Sequence, residues 1–407
     1  MWGQACEGEG MAESRLNVTT DWDSVRSHLP ENYAELAQEL KQLQLQYGHA
    51  KIRTADDLLR LILLHVGTDL PLRQTVALMA EAGGPALSHV RLHKKMFRAV
   101  PYLRALVSEM VDTSEVQPEQ WAGYEVVTVD ASCFCAPGAE TTDARLHVQL
   151  RLSDLEVVTV RVTGVSVGES FKRFPWRPGQ LALGDRGYGN APGIGHVVES
   201  GADVLVRVNR NSLPMMDPEG NAIELMNWLR SLKGHQDHER PVVICDRQHN
   251  RQIRGRLIAT RLPAEQAEKA RARLRRELKG KVTDLDREAA AYVVLFTTAP
   301  KSKLDATRCL ALYRIRWQVE LLFKRWKSLC GFDRLPNYLD ETILAWLYAK
   351  VLLALLMQRM ASWALSPPED QKDSSARRSR PSNAPTLEAR FAALARYHRR
   401  SASARAA

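Results

Sequence analysis

Cysteine is scarce here: six residues in 407, scattered except for the close pair Cys133 and Cys135. That pair has no second pair or histidine at zinc spacing, so neither a disulfide framework nor a structural zinc site is indicated, and the thiols are expected to be reduced. Long hydrophobic runs are missing too. The most apolar stretch, residues 343–357, is too short for a membrane span and contains Lys350, so it reads as a buried helix and no membrane partner is expected. No secretory signal is visible, because the first ten residues are polar, acidic and glycine-rich; Met11 is as good a start as Met1. Internal repeats are absent as well.

What the chain does have is a basic excess, 57 Lys+Arg against 47 Asp+Glu, for a formal net charge of +10. Such a balance favours an anionic polymer as partner, without separating DNA from RNA or an acidic membrane. The length allows a sizeable core and two or three domains.

The most informative stretch is YRIRWQVELLFKRWK, residues 313–327. At 3.6 residues per turn, Ile315, Val319, Leu322 and Trp326 form one apolar stripe, while Tyr313, Arg316, Glu320, Lys324 and Lys327 share the other face. One carboxylate among three cations and a tyrosine suits a metal-dependent phosphoryl-transfer site, where the acid holds a divalent ion and the cations hold DNA phosphates. The plain reading of the same pattern is a solvated face with ion pairs such as Glu320 to Lys324.

The spacing shifts the balance between them. Tyr313, two residues, Arg316, three residues, Glu320, six residues and Lys327 matches the Tyr-Arg-Glu-Lys signature, and the chain resembles bacterial insertion-sequence transposases of the DDE type. That resemblance implies two upstream aspartates. YEVVTVDASCF reads as a strand ending on Asp130, and GQLALGDRGYG delivers Asp185 at the end of another, followed by a glycine-rich turn. Asp185-Arg186-Gly187-Tyr188 matches the family's usual wording around the second acid. After Asp130 come Ala131 and Ser132 where the family more often has Gly-Thr.

Around these motifs the period changes along the chain. Residues from about 30 to 115 read as helical. Within them lie a helix at 73–82, a Gly83-Gly84-Pro85 turn and a second helix from Leu87 carrying Ser88, His89, Arg91, His93, Lys94, Lys95 and Arg98. This is a candidate helix-turn-helix over 73–98, with an ordinary helical hairpin as its rival. From Gly123 the period becomes two: strands at 124–129, 146–152 and 156–165, a short helix near 169–174, the Asp185 strand, a helix near 194–200 and a strand at 203–208.

Three antiparallel strands followed by alternating helix and strand is the order of a ribonuclease H-like fold. The expected architecture is therefore α/β. A ribonuclease H-like catalytic core is interrupted by a largely β insertion and preceded by an α-helical DNA-binding domain. Residues 1–29 would be a flexible N-terminus, 30–118 the DNA-binding domain, 119–208 the first part of the core and 209–300 the insertion domain. The second part of the core, with the catalytic helix, would span 301–365, and 366–407 would be a basic disordered tail. A basic helix at 264–281 fits a solvated surface or a phosphate-tracking one equally.

The resemblance also implies a chemistry. Asp130 would bridge two Mg2+ ions, with Asp185 and Glu320 each completing one; Mn2+ would substitute. Arg316, Lys324, Lys327 and Tyr313 would hold terminal phosphates, with Arg186 a further candidate. Tyr292, 21 residues before Tyr313, stands where the family places an aromatic, usually Trp, that stacks on a flipped base; ordinary strand core is the other reading, and a hairpin intermediate is left open. The reaction implied is cleavage at transposon ends and strand transfer into target DNA. A nuclease of the same fold that does not join, and an inactive DNA-binding descendant, are the alternatives. Expected partners are double-stranded DNA, as terminal inverted repeats and target, and a second copy of the chain in the synaptic complex. The expected location is the bacterial cytoplasm, at the nucleoid.

Overall fold

A computed structural model of the chain describes residues 20–45, 51–111, 121–135, 144–164, 166–208, 213–234, 236–277, 282–332, 335 and 340–364. The expectations for residues 1–19 and for the tail 366–407 lie outside the described residues, as do Lys279 and Lys281 of the basic helix. Two units emerge: one of residues 1–110 with 336–407, and one of 111–335.

The first unit is helical: α1 (Thr20–Arg26), α2 (Tyr33–Glu39), α3 (Ala55–Thr68), α4 (Leu72–Glu81), α5 (His89–Arg98) and α6 (Val100–Met110), joined by the late helix α13 (Asp340–Ala364). Thr54 caps α3 by accepting the Asp57 amide at 3.0 Å, and Leu58, Leu61, Ile62 and Val66 of that helix are fully buried. α13 packs on α3, α5 and α6. Thr342–Trp363 is long and apolar enough to cross a membrane by length and composition, yet most of it is buried inside the protein. Its Lys350 is 1% exposed and donates to Asp69 Oδ1 at 2.9 Å. Helix α13, read from sequence as part of the second half of the catalytic core (301–365), thus groups with the helical unit. Apolar periodicity says that a helix is covered; it does not say by what.

α4 and α5 form the expected pair. Ser88 caps α5 by accepting the Arg91 amide at 3.3 Å, and Leu92 and Met96 anchor it. Lys95 donates to the Leu43 carbonyl and Arg98 to Gln44 Oε1 at 2.5 Å, while His93 pairs with Thr342 Oγ1 at 3.2 Å. Those three side chains hold the helix in place. Arg91 and Lys94 are exposed.

In the second unit a single nine-stranded sheet carries the alternating pattern. Its strands are β1 (Glu125–Phe134), β2 (Ala144–Arg151), β3 (Val157–Thr163), β4 (Gln180–Gly184), β5 (Asp203–Arg207), β6 (Met215–Met216), β7 (His238–Asp246), β8 (Arg251–Arg261) and β9 (Tyr292–Thr297). Their order is β3-β2-β1-β4-β5-β9-β8-β7-β6. β1, β2 and β3 pair antiparallel, β4 and β5 run parallel to β1, and β9 returns antiparallel to β5. The helices are α7 (Ala191–Glu199), α8 (Leu225–Ser231), α9 (Ala264–Glu277), α10 (Asp284–Ala289), α11 (Ala306–Ile315) and α12 (Gln318–Cys330).

In the segment 209–300, expected as a largely β insertion, the described residues carry the strands β6 to β9 together with the helices α8, α9 and α10, and its strands do not form a separate layer. β9 adds directly to β5, β8 and β7 follow, and one apolar cluster runs from Val127 and Val204 through Leu257 to Phe296. Alternation splits β1 between two cores: Val127 and Val129 face that cluster with Ile194 and Val197 of α7, and Val126 faces a second one with Leu310 and Leu312 of α11.

Candidate active site

Strand register builds the site. β1 pairs with β4 up to Thr128↔Leu183, and β4 pairs with β5 up to Gly184↔Val206. Continued two steps beyond the first of those ends and one beyond the second, the parallel register sets Asp130, Asp185 and Arg207 in a row. Val126, Leu183 and Leu205, at even spacing from these three, lie in the cluster with α11, so alternation turns the row to the α11 face. It sits at the carboxyl ends of parallel strands, where open α/β sheets gather their ligands. β1 itself does not stop at Asp130, as the sequence suggested. It continues to Phe134 along β2, while its other neighbour β4 ends at Gly184 and leaves the Asp130 edge open.

The two acids are held by local backbone. Asp130 Oδ1 accepts the Ala131 amide at 2.9 Å, and Asp185 accepts the Gly187 amide at 2.8 Å, capping the 3-10 turn Arg186–Tyr188. Burial pushes the Asp130 carboxyl up to about 7, with Asp185 and Glu169 adding to the effect while the Ala131 amide and Arg316 oppose it.

The signature residues come from two helices. The sequence suggested one continuous helix over 313–327, but α11 ends at Ile315 and α12 begins at Gln318. At the junction the amide of Arg316 bonds the Tyr313 carbonyl at 3.2 Å and that of Val319 bonds the Arg316 carbonyl at 3.3 Å, the tighter i to i−3 pattern. Val319, Leu322 and Trp326 are buried as the stripe required, and α12 packs on β1.

Arg316 is the hub. Its Nη2 donates to Glu320 Oε1 at 2.5 Å, its guanidinium lies 5.7 Å from the Tyr313 ring centre, and its buried Nε has no hydrogen-bond partner. Both Asp130 and Asp185 feel its charge. Half-buried Arg207 is hydrogen-bonded to Tyr313, and Arg186 and Arg316 act on it in turn; burial first, then Arg186, draws its pKa below the usual arginine range. Arg207 and Arg316 therefore flank one tyrosine beside two aspartates, with Arg186 acting on Arg207. On α12, Lys327 Nζ lies 5.4 Å from the Phe134 ring centre, and Lys324 is exposed, as is Arg186 on its turn.

Two of these neighbours were not singled out from sequence. Arg207 was hidden inside an apolar strand, where a terminal charge in DVLVR was the available signal. Glu169 precedes the 3-10 turn Phe171–Arg173 and lies beside Asp185; burial and then Asp185 raise its pKa, and Arg145 opposes them. Tyr292 is a correction. It is 8% exposed, starts β9 opposite Arg261 and packs with Ala291 and Val294, so its ring belongs to the core and is not open to a base.

Among the described residues, no three Asp, Glu, His or Cys side chains share one ion-holding point as they stand. Glu320 is engaged by Arg316 instead.

Comparison with known proteins identifies the family. The family described as "Transposase DDE domain" matches residues 122–357. The chain is 30% identical over 352 residues to a putative transposase InsL of insertion sequence IS186A from Escherichia coli K12, covering 84% of this chain and 94% of that protein. It is also 30% identical over 353 residues to the transposase of IS421 from Escherichia coli, with the same coverage. The transposase of IS231F from Bacillus thuringiensis subsp. israelensis is 27% identical over 201 residues, 44% of this chain and 41% of that protein. With the family match spanning more than half of its length and relatives aligned almost end to end, the chain belongs to the DDE transposases of bacterial insertion sequences.

Proposed function

We propose that the row at the ends of β1, β4 and β5, together with α11 and α12, cleaves the ends of an insertion sequence and joins them to target DNA. The register that sets Asp130, Asp185 and Arg207 side by side on the α11 face carries this reading. The strand order β3-β2-β1-β4-β5 supports a ribonuclease H-like core.

The family's reaction depends on a divalent metal. The residues fit one: Asp130 and Asp185 offer hard oxygen donors, and the buried Tyr188 hydroxyl near them has no partner of its own. In this reading Asp130, Asp185 and Glu320 would hold the divalent ions, Mg2+ with Mn2+ as a substitute. Such ions activate the attacking oxygen and neutralise the leaving one.

The protein's own groups do the positioning. Arg186, Arg207, Arg316 and Tyr313 form a cradle for a terminal phosphate, and Lys324 and Lys327 extend it along α12. When a phosphate takes the Arg316 guanidinium, Glu320 loses its partner and becomes available to the row. In cleavage a water oxygen bonds the phosphorus, and the 3′ oxygen leaves with the electron pair of the broken bond and takes up a proton. In transfer that 3′ hydroxyl gives up its proton and bonds a target phosphorus, and a target 3′ oxygen leaves.

Terminal repeats would be read by the helical unit, through Arg91 and Lys94 on α5. Two copies would hold two ends together in the bacterial cytoplasm. The test is magnesium-dependent cleavage and joining of a plasmid carrying the DNA that flanks this gene, with wild type and Asp185→Asn side by side. Cleaved ends with strand-transfer products, absent from the variant, are expected. Cleavage without joining would favour a nuclease of the same fold, and binding without cleavage an inactive descendant.

A further inference from the structure

Glu169 stands beside the aspartate row with no task in the reading above. A Cβ placed on Gly187 would collide with Glu169 Oε2 and lie 3.2 Å from Asp185 Oδ1. The two carboxylates therefore close over the same backbone atom, which only glycine leaves bare. Arg145 is the cation nearest in influence, but its guanidinium donates to the Val167 carbonyl at 2.8 Å and to Cys133 Sγ at 3.4 Å.

A second observation points to the same space. The Tyr188 hydroxyl is 0% exposed and has no hydrogen-bond partner, and the acids acting on it are Glu169, Asp130 and Asp185. The ring is fixed by Phe171 and Phe174, with centroids 5.2 and 6.5 Å away. A buried hydroxyl left without a partner is costly unless something enters to meet it. Arg316 acts on Asp130 and Arg145 on Glu169, yet the three half-buried carboxylates still repel one another. They do not meet at one point as they stand, and side-chain rotation toward a divalent ion would relieve that repulsion and give the hydroxyl a neighbour.

We propose that Glu169 is a further carboxylate of the catalytic site, and that with Asp130 and Asp185 it takes up a divalent ion before DNA binds. Glu320, engaged by Arg316, takes no part at that stage. This inference rests on the transposase reading and adds a ligand and an order of binding to it.

Mn2+ titration of the full chain without DNA, following free Mn2+ by electron paramagnetic resonance, tests it. Glu169→Gln should weaken binding about tenfold or more, and Glu169→Asp by less. Asp130→Asn should weaken it as strongly, and Glu320→Ala should bind as wild type does. The melting temperature of metal-free Glu169→Gln should equal or exceed that of wild type, because an uncompensated charge is gone; if that variant fails to fold, Glu169→Asp still carries the test. Unchanged affinity in both Glu169 variants, with Asp130→Asn weakened, would overturn the role of Glu169 and leave the transposase reading standing. Unchanged affinity in Asp130→Asn would overturn both. Weakening by Glu320→Ala equal to that by Asp130→Asn would overturn the order of binding.

Discussion

Two segments of this protein interleave glutamate with arginine and lysine, and the structure gives them opposite fates. On α9, Glu265 pairs with Lys269 at 2.6 Å and Glu268 with Arg271 and Arg275 at 3.3 and 2.8 Å. The first pair is about three-quarters exposed on both sides, and Ala267 is the buried residue of that helix. At the α11–α12 junction the Arg316–Glu320 pair has nearly the same spacing, but the arginine side chain is 13% exposed and two aspartates act on it. Exposed pairs contribute about 0–1 kcal/mol and are screened by salt. A half-buried arginine shared between three acids and a tyrosine sets the state of a site. Charge pattern alone does not tell a solvated helix from a catalytic one; burial and the neighbours across the sheet do.

The sharpest way to break the comparison is at the row. Asp130→Asn or Asp185→Asn should lower single-turnover end cleavage by at least about 10³-fold while DNA binding holds. Equal losses of binding and cleavage would contradict that. A smaller effect is expected from Arg207→Ala, about 10–100-fold in cleavage, with Arg207→Lys recovering only part because a point charge cannot serve Tyr313 and a phosphate together.

Stability against pH comes next. Asp130 has a folded pKa of about 7, above its unfolded value, so its contribution is fully present below about pH 4 and is lost as pH rises through 7. Metal-free wild type should therefore lose a few kcal/mol, at about 1.4 kcal/mol per unit, relative to Asp130→Asn between pH 4 and 8. Saturating Mg2+ should restore it, and urea melts at both pH values measure this. The least effect belongs to α9: Glu268→Gln should change stability by no more than about 0.5 kcal/mol and leave cleavage untouched.

Much of the candidate site was legible because its words are local. Asp130, Asp185 and Glu320 each sit in a short motif, and period two against period 3.6 placed β1, β4, β5 and the 313–327 helical stretch. What escaped depends on register and on partners distant in sequence. Arg207 reaches the row only because β5 pairs with β4 at Gly184↔Val206. Glu169 matters only because Gly187 has no side chain. Continuous helical dihedrals hid the change in hydrogen bonding at Arg316. Tyr292 matched a spacing, but β9 entered the middle of the sheet and took its ring into the core. The strands of 209–300 were identified singly, whereas their continuity with the first five is a tertiary fact.

The most direct test sets the two glutamates side by side. Glu320→Ala and Glu265→Ala would be loaded on the same terminal DNA to equal occupancy, and cleavage followed with Mg2+ in excess. Glu320→Ala should hold the end uncut while Glu265→Ala cuts it at the wild-type rate. Wild-type cleavage by Glu320→Ala would mean that the α12 carboxylate is a surface charge like those of α9 and that the site lies elsewhere.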